Sequence, residues 1–122
     1  MEEVNKLGKI LIVDDNEDVL FALNLLLEPY TEKIKVATTP DRIEHFMTTF
    51  HPDLILLDMN FTSGINNGNE GLFWLHEIKR QYRDLPVVLF TAYADIALAV
   101  RGIKEGASDF VVKPWDLSLI HI

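Results

Sequence analysis

The sequence predicts an α/β fold built on a parallel sheet, and three observations predict it. Five short apolar runs alternate with segments of helical period. The runs are apolar at consecutive positions, as strands covered on both faces are. Polar residues with chemical capability close four of them. Asp14 and Asp15 follow Ile10-Leu11-Ile12-Val13, and Asp58 follows Leu54-Ile55-Leu56-Leu57. Thr91 follows Val87-Val88-Leu89-Phe90, and Lys113 follows Phe110-Val111-Val112. In an open parallel sheet the carboxyl ends of the strands face one crevice, and ligands bind there.

Each element has its own signal. Residues 9–14 read as a buried strand. Asn16 is placed to cap a helix whose inward residues are Val19, Leu20, Leu23, Leu26 and Leu27. Residues 33–38 form a weaker strand through Ile34, Val36 and Ala37. Thr39-Pro40 supplies an N-cap and a proline at the first helical position, and Ile43, Phe46, Met47 and Phe50 follow at i, i+3, i+4 and i+7. His51-Pro52 ends that helix, because a residue before proline avoids the helical region. Residues 53–58 are the third strand. A polar loop from Asn60 to about Asn69 precedes a helix with Leu72, Leu75, Ile78 and Tyr82 on one face. Pro86 introduces the strand 87–91. Asp95 caps a helix with Ile96, Ala99, Val100 and Ile103 inward, and Gly106 stops it. The last strand is 108–112.

Length and charge narrow the function. The 122 residues suit one domain, 1–122. Eleven basic against nineteen acidic residues give a net charge of −8, which argues against direct binding to nucleic acid or an anionic membrane. The absence of cysteine removes disulfides, thiolate metal sites and a cysteine nucleophile. No apolar stretch is long enough to span a bilayer, the first residues lack the pattern of a signal peptide, and the cytoplasm is the expected location. His45, His51, His76 and His121 are scattered and offer no zinc pair. No GxxxxGK[ST] or GxGxxG loop occurs to cradle a nucleotide.

The strand-end residues are weak evidence singly. Paired acids often cap a helix, a lone aspartate is often a turn residue, and Thr91 and Lys113 have ordinary readings as a strand threonine and a solvated lysine. Together they describe a phosphoryl site. Crowded carboxylates repel unless a cation sits among them. Oxygen ligands with room for water and phosphate suit Mg²⁺, and a hydroxyl and a lysine suit a phosphoryl group.

The segments "ILIVDDNEDV", "PDLILLDMN", "LPVVLFTAYAD" and "GASDFVVKPW" resemble the response-regulator receiver domain of two-component signalling, over essentially the whole chain. The resemblance implies a flavodoxin-like, doubly wound sheet of five parallel strands in the order 2-1-3-4-5, with helices on both faces. It implies that Asp58 is the phospho-acceptor. Asp14, Asp15, Asp58 and the backbone carbonyl of Asn60 then hold Mg²⁺ (or Mn²⁺). Thr91, Ala92 and Lys113 surround the phosphoryl group, Ala92 by being small, and Thr91 and Phe110 form the switch. The expected partners are a histidine kinase or phosphotransfer protein, a C-terminal effector domain outside this chain, and a second copy through residues 95–120. The domain is expected to catalyse only its own phosphorylation and dephosphorylation, and to control transcription.

Two departures stand out. "NFTSGINNGNEG" after Asp58 lacks the family's proline and is several residues long, which resembles receivers of NtrC-like, sigma-54-dependent activators. After Lys113-Pro114 only "WDLSLIHI" remains, so the last helix is expected to be short or truncated, with Leu117, Ile120 and Ile122 exposed or paired and Trp115 packed locally. Two other readings stay open. An aspartyl-phosphate phosphatase would carry a second aspartate two residues after the nucleophile, where Asn60 stands. A pseudo-receiver would act by contact alone.

Overall fold

The computed structural model describes residues 8–59, 69–92 and 95–112. Its elements are β1 (Lys9–Val13), α1 (Glu17–Leu27), β2 (Lys33–Ala37), α2 (Ile43–Thr49), β3 (Leu54–Asp58), α3 (Asn69–Gln81), β4 (Val87–Thr91), α4 (Ile96–Lys104) and β5 (Asp109–Val112). The strands form one sheet in the order β2-β1-β3-β4-β5, with the helices around it. This is the expected topology. The chain clusters into two compact units, 1–56 and 57–122, whose border falls inside β3.

In the first unit β1 pairs with β2 in parallel, from Lys9 opposite Lys33 to Val13 opposite Ala37. Ile10, Leu11, Ile12 and Val13 are essentially inaccessible, as a run without alternation requires. β2 lies at the sheet edge and exposes Lys33 and Lys35, charges that discourage a foreign strand from pairing there. Asn16 caps α1, its side-chain oxygen accepting from the N–H groups of Asp18 (2.9 Å) and Val19 (3.2 Å). Val19, Leu20 and Leu23 are buried as expected, whereas Leu26 is exposed. Phe21 and Leu25 are exposed too, so α1 carries more apolar side chains than one buried stripe accommodates.

The expected Thr39 cap does not form. Thr39 makes no side-chain cap bond, and Pro40–Arg42 wind into a 3-10 turn before α2 begins at Ile43. The proline fixes the first φ of that turn but has no N–H to extend the ladder. At the other end His51 adopts φ 54°, and its N–H donates to Phe46 O (3.1 Å), which closes α2 in a left-handed residue.

In the second unit β4 pairs with β5 in parallel, from Val88 opposite Asp109 to Thr91 opposite Val112. α3 buries Leu72, Leu75 and Ile78. Asp95 occupies the N-cap position of α4 without a side-chain cap bond. Val100 and Ile103 point outward, contrary to expectation, because α4 packs through Ala99 and Gly102. Small residues let the helix backbone come so close that a Cβ on Gly102 would strike Leu89 Cδ1. α4 stops as expected. Gly106 has φ 122°, its N–H donates to Ile103 O (3.2 Å), and Ala107 N–H donates to Gly102 O (3.0 Å). These are the two bonds of a Schellman ending.

Candidate functional site

The strand ends were the expected site, and the acids converge there. Asp14 follows β1 directly. Its N–H donates to Ala37 O (3.1 Å), and its Oδ1 accepts from Asn16 N–H (2.9 Å), so backbone bonds on both sides hold it. Asp14 is 1% exposed, and Asp15 is half-buried. Asp58 is the last residue of β3 and is 2% exposed. One carboxylate oxygen from each of Asp14, Asp15 and Asp58 lies within 4.8 Å of the others. Among the described residues no other trio of acids and histidines comes together in this way.

Such a cluster is costly unless something positive neutralises it. Two unit charges at 4.8 Å repel by about 3.5 kcal/mol at an effective dielectric of about 20. The donors are all carboxylate oxygens, which suits a hard cation such as Mg²⁺, and among the described residues no histidine joins the cluster to favour zinc. The residues present therefore fit a divalent metal.

Thr91 ends β4 and is fully buried. Its Oγ1 donates to Ala92 O at 3.2 Å, which is long for a hydroxyl bond. Ala92 is half-buried. Phe110 sits on β5 opposite Leu89, half-buried, and its N–H donates to Asp109 Oδ1 (2.7 Å). Asn60, Lys113, the loop after Asp58 and the segment from Pro114 onward lie outside the described residues.

One contact beside the site had no clear sequence signal. Met59, directly after Asp58, is fully buried, with its N–H donating to Phe90 O (3.0 Å) and its carbonyl accepting from Gly71 N–H (3.2 Å). A glycine in the first turn of a helix otherwise reads only as a weak helix former.

Comparison with known proteins agrees with this geometry. The family model for the response regulator receiver domain matches residues 10–122. Regulatory protein AtoC of Escherichia coli is 30% identical over 95% of this chain and 24% of its own length. The DNA-binding transcriptional regulator NtrC of Klebsiella pneumoniae is 30% identical over 90% of this chain and 22% of its own. This chain thus spans under a quarter of these two regulators. A crystal structure of the N-terminal signal receiver domain of a two-component response regulator from Bacteroides fragilis is 64% identical, with a TM-score of 0.81, covering 93% of this chain and 89% of that one. Receiver domains bind Mg²⁺ through acidic residues, and such a cluster is present here. With its sheet order, its three converging aspartates and relatives of the NtrC and AtoC type, this chain belongs to the response regulator receiver domain family.

Proposed function

We propose that this domain takes a phosphoryl group onto Asp58 from a histidine kinase or phosphotransfer protein, and that residues 95–120 pass the signal to a transcriptional output. The convergence of Asp14, Asp15 and Asp58 carries the reading, because packing alone gives no reason to crowd three acids, two of them buried. In the transfer a carboxylate oxygen of Asp58 attacks phosphorus with its own electron pair. The new O–P bond forms as the donor's P–N bond breaks, and that pair returns to the imidazole nitrogen. An ionised carboxylate has no proton to lose first. Asp14, Asp15, Asp58 and the Asn60 carbonyl are the groups to hold Mg²⁺ (or Mn²⁺), which when bound supplies positive charge against the transferring oxygens.

The surrounding residues have separable tasks. Lys113 offers a second positive charge. Ala92 leaves the acceptor accessible. Thr91 must give up its bond to Ala92 O to reach a phosphoryl oxygen, and at 3.2 Å that bond is weak enough to lose. A charge-assisted bond to the phosphoryl group more than replaces it. The same motion would open space for Phe110, so that one local charge event biases a two-state element. The product is a mixed anhydride that water cleaves, which makes the signal temporary.

We read residues 1–122 as one receiver domain acting in the cytoplasm, joined to an effector region of the kind its longer relatives leave room for. Among the described residues no helix is long and apolar enough to cross a membrane. The test is intact mass after incubation with Mg²⁺ and a small acyl phosphate. One phosphoryl group should add to the protein, and none to Asp58→Asn or to protein kept in chelator. Uptake by Asp58→Asn, or uptake that ignores Mg²⁺, would overturn the assignment.

A further inference from the structure

Gly71 lies in the first turn of α3, buried against the residue that follows Asp58. A Cβ built on Gly71 would sit 2.6 Å from Met59 O, 2.7 Å from Met59 Cα and 3.0 Å from Met59 C. All three of these nearest atoms are backbone, which cannot rotate away as a side-chain tip can. Met59 has no slack to move into. Its side chain is fully buried, its N–H is bonded to Phe90 O on β4, and its carbonyl is bonded to Gly71 N–H. Phe90 in turn precedes Thr91, so one peptide links the ends of β3 and β4 and the start of α3.

From this contact we infer that Gly71 is a positioning residue for Asp58. Its missing side chain lets α3 seat on the Met59 peptide, and that seating fixes the backbone from which the Asp58 carboxylate projects. The inference deepens the phospho-acceptor reading and rests on it for its consequence in rate. The geometric part stands on the contact itself. Any side chain at position 71 must push Met59, and the displacement passes one bond along to Asp58. In-line attack tolerates little misplacement of the nucleophile, so the rate should suffer before the fold does.

Gly102 supplies the control. It is also buried in the same unit, but the three atoms nearest a Cβ there belong to the side chains of Leu89, Leu72 and Leu75. Gly71→Ala and Gly102→Ala thus overfill the same unit, one against backbone and the other against movable side chains. The backbone amide resonances of Asp58 and Met59 should shift in Gly71→Ala and hold in Gly102→Ala. Phosphoryl uptake per folded molecule should fall roughly ten- to a hundredfold in Gly71→Ala and stay near wild type in Gly102→Ala. A folded Gly71→Ala with both resonances unmoved would overturn the inference. If the wild type takes up no phosphoryl group, the functional reading fails while the resonance comparison still decides the role of Gly71. If Gly71→Ala does not fold, Mg²⁺ titration of the wild type decides instead. The Gly71 amide should then move in step with those of Asp58 and Met59, and a Gly71 amide that ignores the metal would refute the coupling.

Discussion

Neutralising one acid of the cluster should stabilise the metal-free protein. Asp14 and Asp58 are both almost fully buried, and their oxygens lie within 4.8 Å. Their repulsion is about 3.5 kcal/mol at an effective dielectric of about 20. Asp15 is half-buried, and its repulsion of Asp58 through a more water-like medium is about 1 kcal/mol. Asp58→Asn removes both, some 4 to 5 kcal/mol gross. It also exchanges an acceptor-only carboxylate for an amide, which weakens the bonds Asp58 makes by about 1–3 kcal/mol. About 2 kcal/mol of net stabilisation remains, which raises the melting temperature in chelator by roughly 5–10 °C for a domain of this size. The assay is a thermal melt of both proteins, with chelator and with saturating Mg²⁺. Wild type should gain from the metal, by about 2.7 kcal/mol at a hundred times the dissociation constant, and Asp58→Asn should gain much less. An Asp58→Asn protein that melts at or below wild type in chelator would refute the electrostatic reasoning, because what attracts the Asp58 carboxylate would then outweigh its repulsion by Asp14 and Asp15.

Four further outcomes follow from other residues. Asn16→Ala removes the acceptor for two α1 amides and should cost about 1 kcal/mol in chemical denaturation, with the denaturant slope unchanged. Gly8 has φ 86°, and a Cβ there would lie 2.5 Å from Asp53 Oδ2, the oxygen that accepts from Lys9 N–H (2.9 Å). Gly8→Ala should therefore cost about 1–2 kcal/mol in the same experiment. Glu105 accepts from Arg101 Nε (3.0 Å) and pairs with His76 Nε2 (2.6 Å). Arg101 first and His76 second hold its carboxyl below the ordinary glutamate value. A depressed folded value means the contribution is complete above that ordinary value and disappears as pH falls through the lowered one. Melting curves across that acid range should thus fall less steeply for Glu105→Gln than for wild type, and salt should shrink the difference. Phe110→Ala should leave phosphoryl uptake intact and weaken phosphorylation-dependent dimerisation, measured by analytical ultracentrifugation with and without the acyl phosphate. Unchanged dimerisation would remove Phe110 from the switch.

The sheet and its acids were legible in the sequence because burial on both faces leaves a plain trace. Ile10 to Val13 and Leu54 to Leu57 are apolar at every position, and Asp14 and Asp58 stand where each run stops. Terminations were legible where the backbone itself demands a residue type, as at Asn16 and Gly106. Where two interactions compete for the same few atoms, the sequence was ambiguous. Thr39 and Asp95 are good caps in isolation, yet Pro40 turns the chain into a 3-10 turn and the Asp95 side chain makes no cap bond to α4. Val100 and Ile103 are better core residues than Gly102 by composition. Only the close approach of α4 to Leu89 shows why the glycine faces inward. The seating of Gly71 on Met59 is legible in space alone, since it joins two stretches separated by a long polar insertion.

That insertion leaves and returns at one place. Met59 O and Gly71 N are bonded at 3.2 Å, so the chain departing from β3 and the chain entering α3 are fastened to each other whatever intervenes. The entropy of closing a loop grows only logarithmically, by about 0.6 kcal/mol for each doubling of length. Residues 60–70 can therefore lengthen, shorten or change composition across evolutionary time while the strand and helix they connect keep their aim. A lineage can rewrite the intervening sequence without renegotiating the interior, and a protein engineer can treat the same segment as a socket for grafted sequence.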